Sequence, residues 1–191
     1  MKIIYFITAL AIFMAGCQQN ATESTTEASD NEAAKVDSLF KVNSETIKAY
    51  IKSWENENID HDQLYAEGAI MRGTGINDKD SISLEEMKAM DKEMAKMYDF
   101  EFMSDVVLLP GVNAQTLKPD GSVRYYGDWK VIRPATDTSE ERSAIIKLYE
   151  SFDFDEGGKI VYQQVYGDFT GLMHQLHGEK PMEEGANGGD E

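Results

Sequence analysis

The stretch Ser143–Phe169, SAIIKLYESFDFDEGGKIVYQQVYGDF, constrains this chain most. Two runs rich in β-branched and aromatic residues flank Asp155-Glu156-Gly157-Gly158, an acidic turn ending in the residue type that most readily takes positive φ. The pattern predicts a long antiparallel hairpin. Side chains alternate along a strand, so Ala144, Ile146, Leu148, Phe152 and Phe154 share one face of the first arm, and Ser143, Lys147, Ser151 and Asp153 take the other. Glu150 breaks the pattern, an acid on the apolar face. An unpaired ionised carboxylate is costly to bury, so Glu150 is expected to be paired or hydrogen-bonded, with a partner such as Tyr50 or Arg72, or neutral. In the second arm Ile160, Tyr162 and Tyr166 point one way and Val161, Val165 and Phe169 the other. Both faces are partly apolar, so both are expected to be covered, the inner by helices and the outer by a second copy of the chain.

At 191 residues the chain is long enough for one domain with a core and short for two. A formal charge of −17, with no basic stripe to neutralise phosphates, excludes a nucleic-acid partner. Much of that charge lies toward the two ends. Lys2 followed by the apolar run Ile3–Met14 is too short to span a bilayer and suits the apolar region of a signal peptide. The run ends in Phe13-Met14-Ala15-Gly16-Cys17, which resembles the lipobox of bacterial lipoproteins, where small residues admit the peptidase and the thiol accepts the lipid. Cys17 is the only cysteine, so no disulfide forms within the chain. The expectation is an exported lipoprotein, anchored to the membrane through lipid on Cys17 and facing the periplasm or the cell surface. The layout is then a signal peptide over 1–16, a lipidated cysteine and disordered polar tether over 17–40, a folded domain over 41–178 and a disordered acidic tail over 179–191.

Within the folded domain, Ser44 precedes Ile47, Tyr50, Ile51 and Trp54, a spacing that predicts a capped amphipathic helix. Asp60 is placed to cap a short helical turn through Leu64 and Tyr65, and Ala69–Gly75 predicts a brief strand running into a loop. Leu84–Tyr98 predicts a longer helix with Ser81 or Ser83 as cap. On it Met87, Met90, Met94 and Met97 recur at helical spacing and read as core packing rather than a soft-metal site. Strands are expected over Phe100–Leu109 and Ser122–Arg133, the latter with Val123, Tyr125, Gly127, Trp129 and Val131 on one face.

Several weaker signals have bland explanations. Gly73-x-Gly75 opens no helix, so it is not a phosphate loop. His174-x-x-His177 offers too few ligands for a metal and reads as an exposed terminal helix. Asp153-x-Asp155-x-Gly157 lacks the remaining ligands of a calcium loop and reads as a hairpin turn. No metal or cofactor is expected.

Helix, short helix, short strand, long helix and then a curved antiparallel sheet is the element order of the nuclear transport factor 2-like (SnoaL-like) domain. Ala49-Tyr50-Ile51-Lys52-Ser53-Trp54, Asn58-Ile59-Asp60 and Leu64-Tyr65-Ala66-Glu67-Gly68-Ala69 resemble that family's opening motifs. Phe152-Asp153-Phe154-Asp155 through Gly158-Lys159-Ile160-Val161 resembles its closing hairpin. The resemblance covers residues 44 to 170. It implies an α+β fold in which a cone-shaped antiparallel sheet of four to five strands packs against two to three N-terminal helices and leaves a pocket. In the ketosteroid isomerase branch a carboxylate base works with a tyrosine and a protonated acid. Tyr50 falls on the tyrosine and Glu150 on the acid, while the base falls near Gly73, and glycine cannot abstract a proton. The resemblance therefore implies the fold and a pocket without the isomerase reaction.

Three readings of function follow. In the first, the cone binds a small apolar or cyclic ligand, lined by Tyr50, Trp54, Met71, Tyr125, Trp129 and Phe152 around Glu150, without established catalysis. The second is an acid–base enzyme of isomerase, dehydratase or cyclase type using Tyr50 and Glu150. The third is a structural or interaction module whose cavity is filled by its own side chains.

Overall fold

The computed structural model describes residues 20–75 and 78–178, so the expected signal peptide, Cys17 and the expected acidic tail lie outside the described residues. The chain divides into two compact units, Met1–Ala34 and Lys35–Glu191. Residues 20–34 lie within helix α1 (Asn20–Glu55). Ala21, Glu23, Glu27, Ala28, Glu32, Ala33 and Ala34 are good helix formers, and a helix satisfies its own backbone without burial.

In the second unit the apolar stripe of α1 begins earlier than expected, with Phe40, and continues through Ile47, Tyr50, Ile51 and Trp54. Ser44 is therefore not an N-cap. It lies inside the helix, buried, with no hydrogen-bond partner for its Oγ. α1 is tied to the sheet by two polar contacts: Asn43 Nδ2 donates to Gly121 O at 2.9 Å and Thr46 Oγ1 to Gly158 O at 3.1 Å. Gly158 closes the hairpin turn at φ 78°, a conformation that favours glycine.

Helix α2 (His61–Leu64) is capped by Asp60, whose Oδ1 accepts from Gln63 N at 3.0 Å. Strand β1 (Tyr65–Arg72) follows directly and so starts earlier than the Ala69 expected. After β2 (Ile82–Ser83), helix α3 (Leu84–Met97) opens with a reciprocal capping box between Ser83 and Glu86. Its methionines do not form one buried stripe. Met87 is 2% exposed, but Met90 and Met97 are 48% and 49% exposed. The inward face instead runs Met87–Asp91–Met94, at spacings of four and three, which keeps one side of a helix.

The strand expected over Phe100–Leu109 is two strands, β3 (Asp99–Phe102) and β4 (Val107–Val112). The chain leaves the ladder at Met103–Ser104, where Met103 N reaches Asp128 O and Ser104 Oγ accepts from Asp128 N. Both pieces pair with the long strand β5 (Pro119–Arg133), which pairs on its other side with β6 (Arg142–Phe154). Strand β7 (Ile160–Tyr166) completes the hairpin and runs parallel to β1. The seven-stranded sheet has the order β2-β1-β7-β6-β5-β3, with β4 also on β5. It is thus larger than the four to five strands expected, and mixed rather than wholly antiparallel.

The alternation along β6 is as the sequence predicts, with Ala144, Ile146, Glu150 and Phe152 buried beneath the helices. Along β7 it is not. The register shifts between Asp153 and Phe154, where β6 advances one residue (Asp153 to Phe154) and β7 two (Tyr162 to Ile160), leaving Val161 unpaired. Val165 therefore sits opposite Glu150 and Gln163 opposite Phe152, both on the inner face. Tyr166 falls on the outer face, where the rings of Tyr126 and Tyr149 lie 4.9 Å apart and those of Tyr149 and Tyr166 5.8 Å apart. The expected outer patch of Val161, Val165 and Phe169 does not form.

Helix α4 (Phe169–His177) is docked rather than exposed. It packs on β6 and buries Leu172 and Leu176, while His177 Nε2 meets Tyr98 OH at 2.9 Å. Replacing Leu176 by Ala is expected to lower the unfolding free energy by about 2–5 kcal/mol. Ile145→Ala, at a residue 59% exposed, should change it by less than about 0.5 kcal/mol. Urea denaturation of both variants checks the docking, and equal midpoints would contradict it.

Candidate functional site

The inner surface of the sheet is aromatic around one acid. Tyr125 lies directly across from Glu150 on β5, and its hydroxyl accepts from Trp129 Nε1 at 2.6 Å. Phe152, two residues along from Glu150, meets the edge of Tyr50 at a centroid distance of 5.3 Å. Trp54 packs on Phe100 at 4.9 Å, and its Nε1 is buried without a partner. Met71, half-buried, lies opposite Gln163 between β1 and β7. The structure thus places Tyr50, Trp54, Met71, Tyr125, Trp129, Glu150 and Phe152 within one core, with Tyr50, Phe152 and Tyr125 nearest the acid.

Glu150 is 2% exposed, and its partners are neutral. Gln163 Nε2 donates to its Oε2 at 2.7 Å and Tyr50 OH to the same oxygen at 3.3 Å. Gln163 Nε2 also donates to Tyr50 OH at 3.1 Å, and Gln163 Oε1 accepts from Tyr65 OH at 2.6 Å. This spends both amide protons of Gln163 and leaves Oε2 as a double acceptor. A proton on Glu150 therefore sits on Oε1, where it makes the group a donor. Arg72 does not supply a counter-charge: it is exposed and pairs with Gln164. Arg72 and Gly73 line a polar surface cleft of about 330 Å³ with Gln164 and Tyr166, so the position read as a missing base is not beside Glu150.

Burial pushes the Glu150 carboxyl up to about 7, helped by the charge of Asp91 and opposed by the bonds from Gln163 and Tyr50. Burial, followed by the charge of Glu150, also raises the Tyr50 hydroxyl well above its ordinary value, so Tyr50 stays a neutral donor.

Sequence reasoning missed Gln163, Tyr65, His61 and Asp91. Gln163 was hidden by the unpaired residue in β7. Asp91 was hidden by the methionine spacing on α3, although an acid four residues after Met87 was the available signal. Asp91 Oδ2 lies 2.8 Å from His61 Nε2, and the imidazole stacks on Tyr65 at 5.9 Å and 28°. Burial raises the Asp91 carboxyl, while His61 lowers it. Among the described residues no group of three His, Cys, Asp or Glu side chains is placed to hold a metal ion.

No protein family's profile matches this sequence, and no curated protein matches it. Solved structures do. A protein from Xanthomonas campestris described as a polyketide cyclase superposes with a TM-score of 0.56 at 15% identity, covering 72% of this chain and 98% of its own. A protein from Shewanella denitrificans described as a SnoaL-like polyketide cyclase gives 0.52 at 14% identity, covering 72% and 98%. An LEH-like epoxide hydrolase from M. tuberculosis gives 0.52 at 14% identity, covering 73% and 92%. The chain has the NTF2-like (SnoaL-like) α+β fold, with an open mixed sheet and covering helices.

The buried acid makes stability depend on pH. The folded state holds the Glu150 proton more tightly than the unfolded chain does, so stability is full below the ordinary value of 4.5 and falls as pH rises through about 7. The displacement is worth about 3 kcal/mol when complete. Denaturant midpoints measured from pH 4 to 8 are expected to fall, and Glu150→Gln should flatten that fall. An equally steep profile in the variant would place the dependence elsewhere.

Proposed function

We propose that this chain is a membrane-anchored domain whose cone binds a small, neutral, cyclic ligand through an oxygen seated at Glu150 and Tyr50. The observation that carries the reading is the buried Glu150 carboxyl, held on Oε2 by neutral donors in an aromatic surround with no cation beside it among the described residues. Near neutral pH it alternates between donor and acceptor, which suits a carbonyl or hydroxyl and disfavours an anionic ligand. The solved structures of like fold, described as cyclases and an epoxide hydrolase, support small cyclic molecules as the class. An acid–base enzyme is the second reading, and the specific observation favouring it is the second, half-buried carboxyl, Asp91, with its histidine.

Equilenin, a fluorescent polycyclic phenol, tests the binding reading by titration into the protein. Glu150→Gln is expected to bind within a few-fold of the parent. Glu150→Leu should weaken binding at least about tenfold, the cost of one lost hydrogen bond in a buried site. Equal affinity of the Leu variant would remove Glu150 from the site.

In this reading attachment rests on Cys17 at the foot of the apolar run Ile3–Met14; no helix among the described residues is long and apolar enough to cross a membrane. Two copies meet, in this reading, through the outer face at Tyr126, Tyr149 and Tyr166. Cys17→Ala is expected to move the protein from the detergent phase to the aqueous phase, or to leave an uncleaved precursor, and the soluble form should sediment as a dimer at micromolar concentration. Persistent lipid labelling would end the anchor proposal, and a monomeric mass would end the dimer.

A further inference from the structure

Helix α3 carries four methionines, and the core uses only part of them. Met87 is buried and Met94 packs half-buried against the core, but Met90 and Met97 stand half exposed. Burial therefore explains the apolar residues at 87 and 94 and leaves Met90 and Met97 unaccounted for. A single exposed apolar side chain is ordinary on a protein surface. Three thioethers that share one helix face are a donor set.

Helical geometry gathers these sulfurs. Each residue turns the helix by about 100°, so Met94 stands about 40° to one side of Met90 and Met97 about 20° to the other. The three fall within an arc of about 60° and within about 10 Å along the axis. The stripe follows the border where α3 leaves the core, with Met94 on the dry side and Met90 and Met97 on the wet side. The side chain is unbranched and has three rotatable bonds, so sulfurs on neighbouring turns can close on one ion.

The donor type selects the ion. A thioether is uncharged, polarisable and a poor hydrogen-bond acceptor, which suits soft Cu(I) and not the hard or borderline divalent cations. The surroundings favour a cation as well. Glu86 lies one turn before Met90 and Glu93 one turn before Met97. The hydrogen bond from Lys79 holds the Glu86 carboxyl down to about 2, and that from Lys96 lowers Glu93, so both are ionised at neutral pH. Each carboxylate is already engaged by its lysine, which leaves the sulfurs as the ligands. Lys88, Lys92 and Lys96 stand about 100° or more around the helix from each of the three methionines. The chain as a whole carries a formal charge of −17.

We infer that Met90, Met94 and Met97 form a three-thioether site for a soft monovalent cation of the Cu(I) type. The site is on α3 and does not depend on the ligand-binding reading above.

The test uses the full chain in detergent, labelled with carbon-13 at the methionine ε-methyl groups and titrated with silver nitrate. Silver(I) is a redox-inert stand-in for Cu(I). Each methyl reports on its own sulfur, so silver taken up at Cys17 or at a histidine is not mistaken for this site. Saturable shifts of the Met90, Met94 and Met97 resonances with one shared midpoint are expected. Met103, 47% exposed but outside α3, should not move. Zinc nitrate should move none of them. The midpoint should hold between pH 5 and pH 8, because a thioether releases no proton on binding a metal. Met94→Leu keeps the volume and the helix propensity, and should weaken binding at least about tenfold on the two remaining methyls. Met103→Leu should leave the midpoint in place.

Equal shifts at Met103 would reduce the effect to exposure, and a shift at one methionine alone would leave no shared ion. Either result overturns the site. A midpoint that Met94→Leu does not move, an equal response to zinc, or the absence of any shift on α3 overturns it as well.

Discussion

A carboxyl group taken out of water without a cation must be solvated by neutral dipoles, or it gives up its charge. Glu150 does some of both. Gln163 and Tyr50 donate to Oε2, and burial still raises the group to about 7. Satisfying that one side chain requires α1 to deliver Tyr50, β7 to deliver Gln163 and β1 to deliver Tyr65 behind it. Four elements are thereby held in register at one place. The aromatic residues around them, Tyr125, Trp129 and Phe152, exclude the water that would otherwise relieve the acid.

The same requirement explains why the scaffold is asymmetric. β5 and β6 are long and pair across eleven positions, giving a stiff central ladder on which Glu150 is carried. β7 contains the unpaired residue, so its inner face can present Gln163 where strict alternation from Ile160 would have presented Tyr162. α1 is fixed against two turns, at Gly121 and Gly158, rather than by side-chain packing alone. Buried polar groups without partners on Asn43, Ser44 and Trp54 lie along this same helix. Such orphans are costly and uncommon.

How legible each residue was follows from the range of the physics involved. Glu150 stood out because strand alternation is local: one acid among Ile146, Leu148 and Phe152 declares itself in seven residues. Tyr50 and Trp54 were legible for the same reason on a helix. Gln163 was not, because an unpaired strand residue is created by the neighbouring strand and not by the residues that flank it. Asp91 was obscured by a methionine series at helical spacing that burial then divided, Met87 inside and Met90 and Met97 outside. The break between β3 and β4 likewise depends on contacts with Asp128, a residue far along the chain.

The amino-acid sequence by itself determined the long hairpin, the capped helices α2 and α3, the inward direction of Glu150 and the α+β order of elements. Each of these is set by periodicity or capping within about a dozen residues. Tertiary structure alone decided that the sheet is mixed, with β1 parallel to β7, since parallel pairing joins strands nearly a hundred residues apart. It also decided that the acid is met by a glutamine and not by an arginine, and that a histidine and a second acid stand nearby. Those outcomes depend on which side chains the closing sheet brings within 3 Å of one another, and no local pattern encodes that distance.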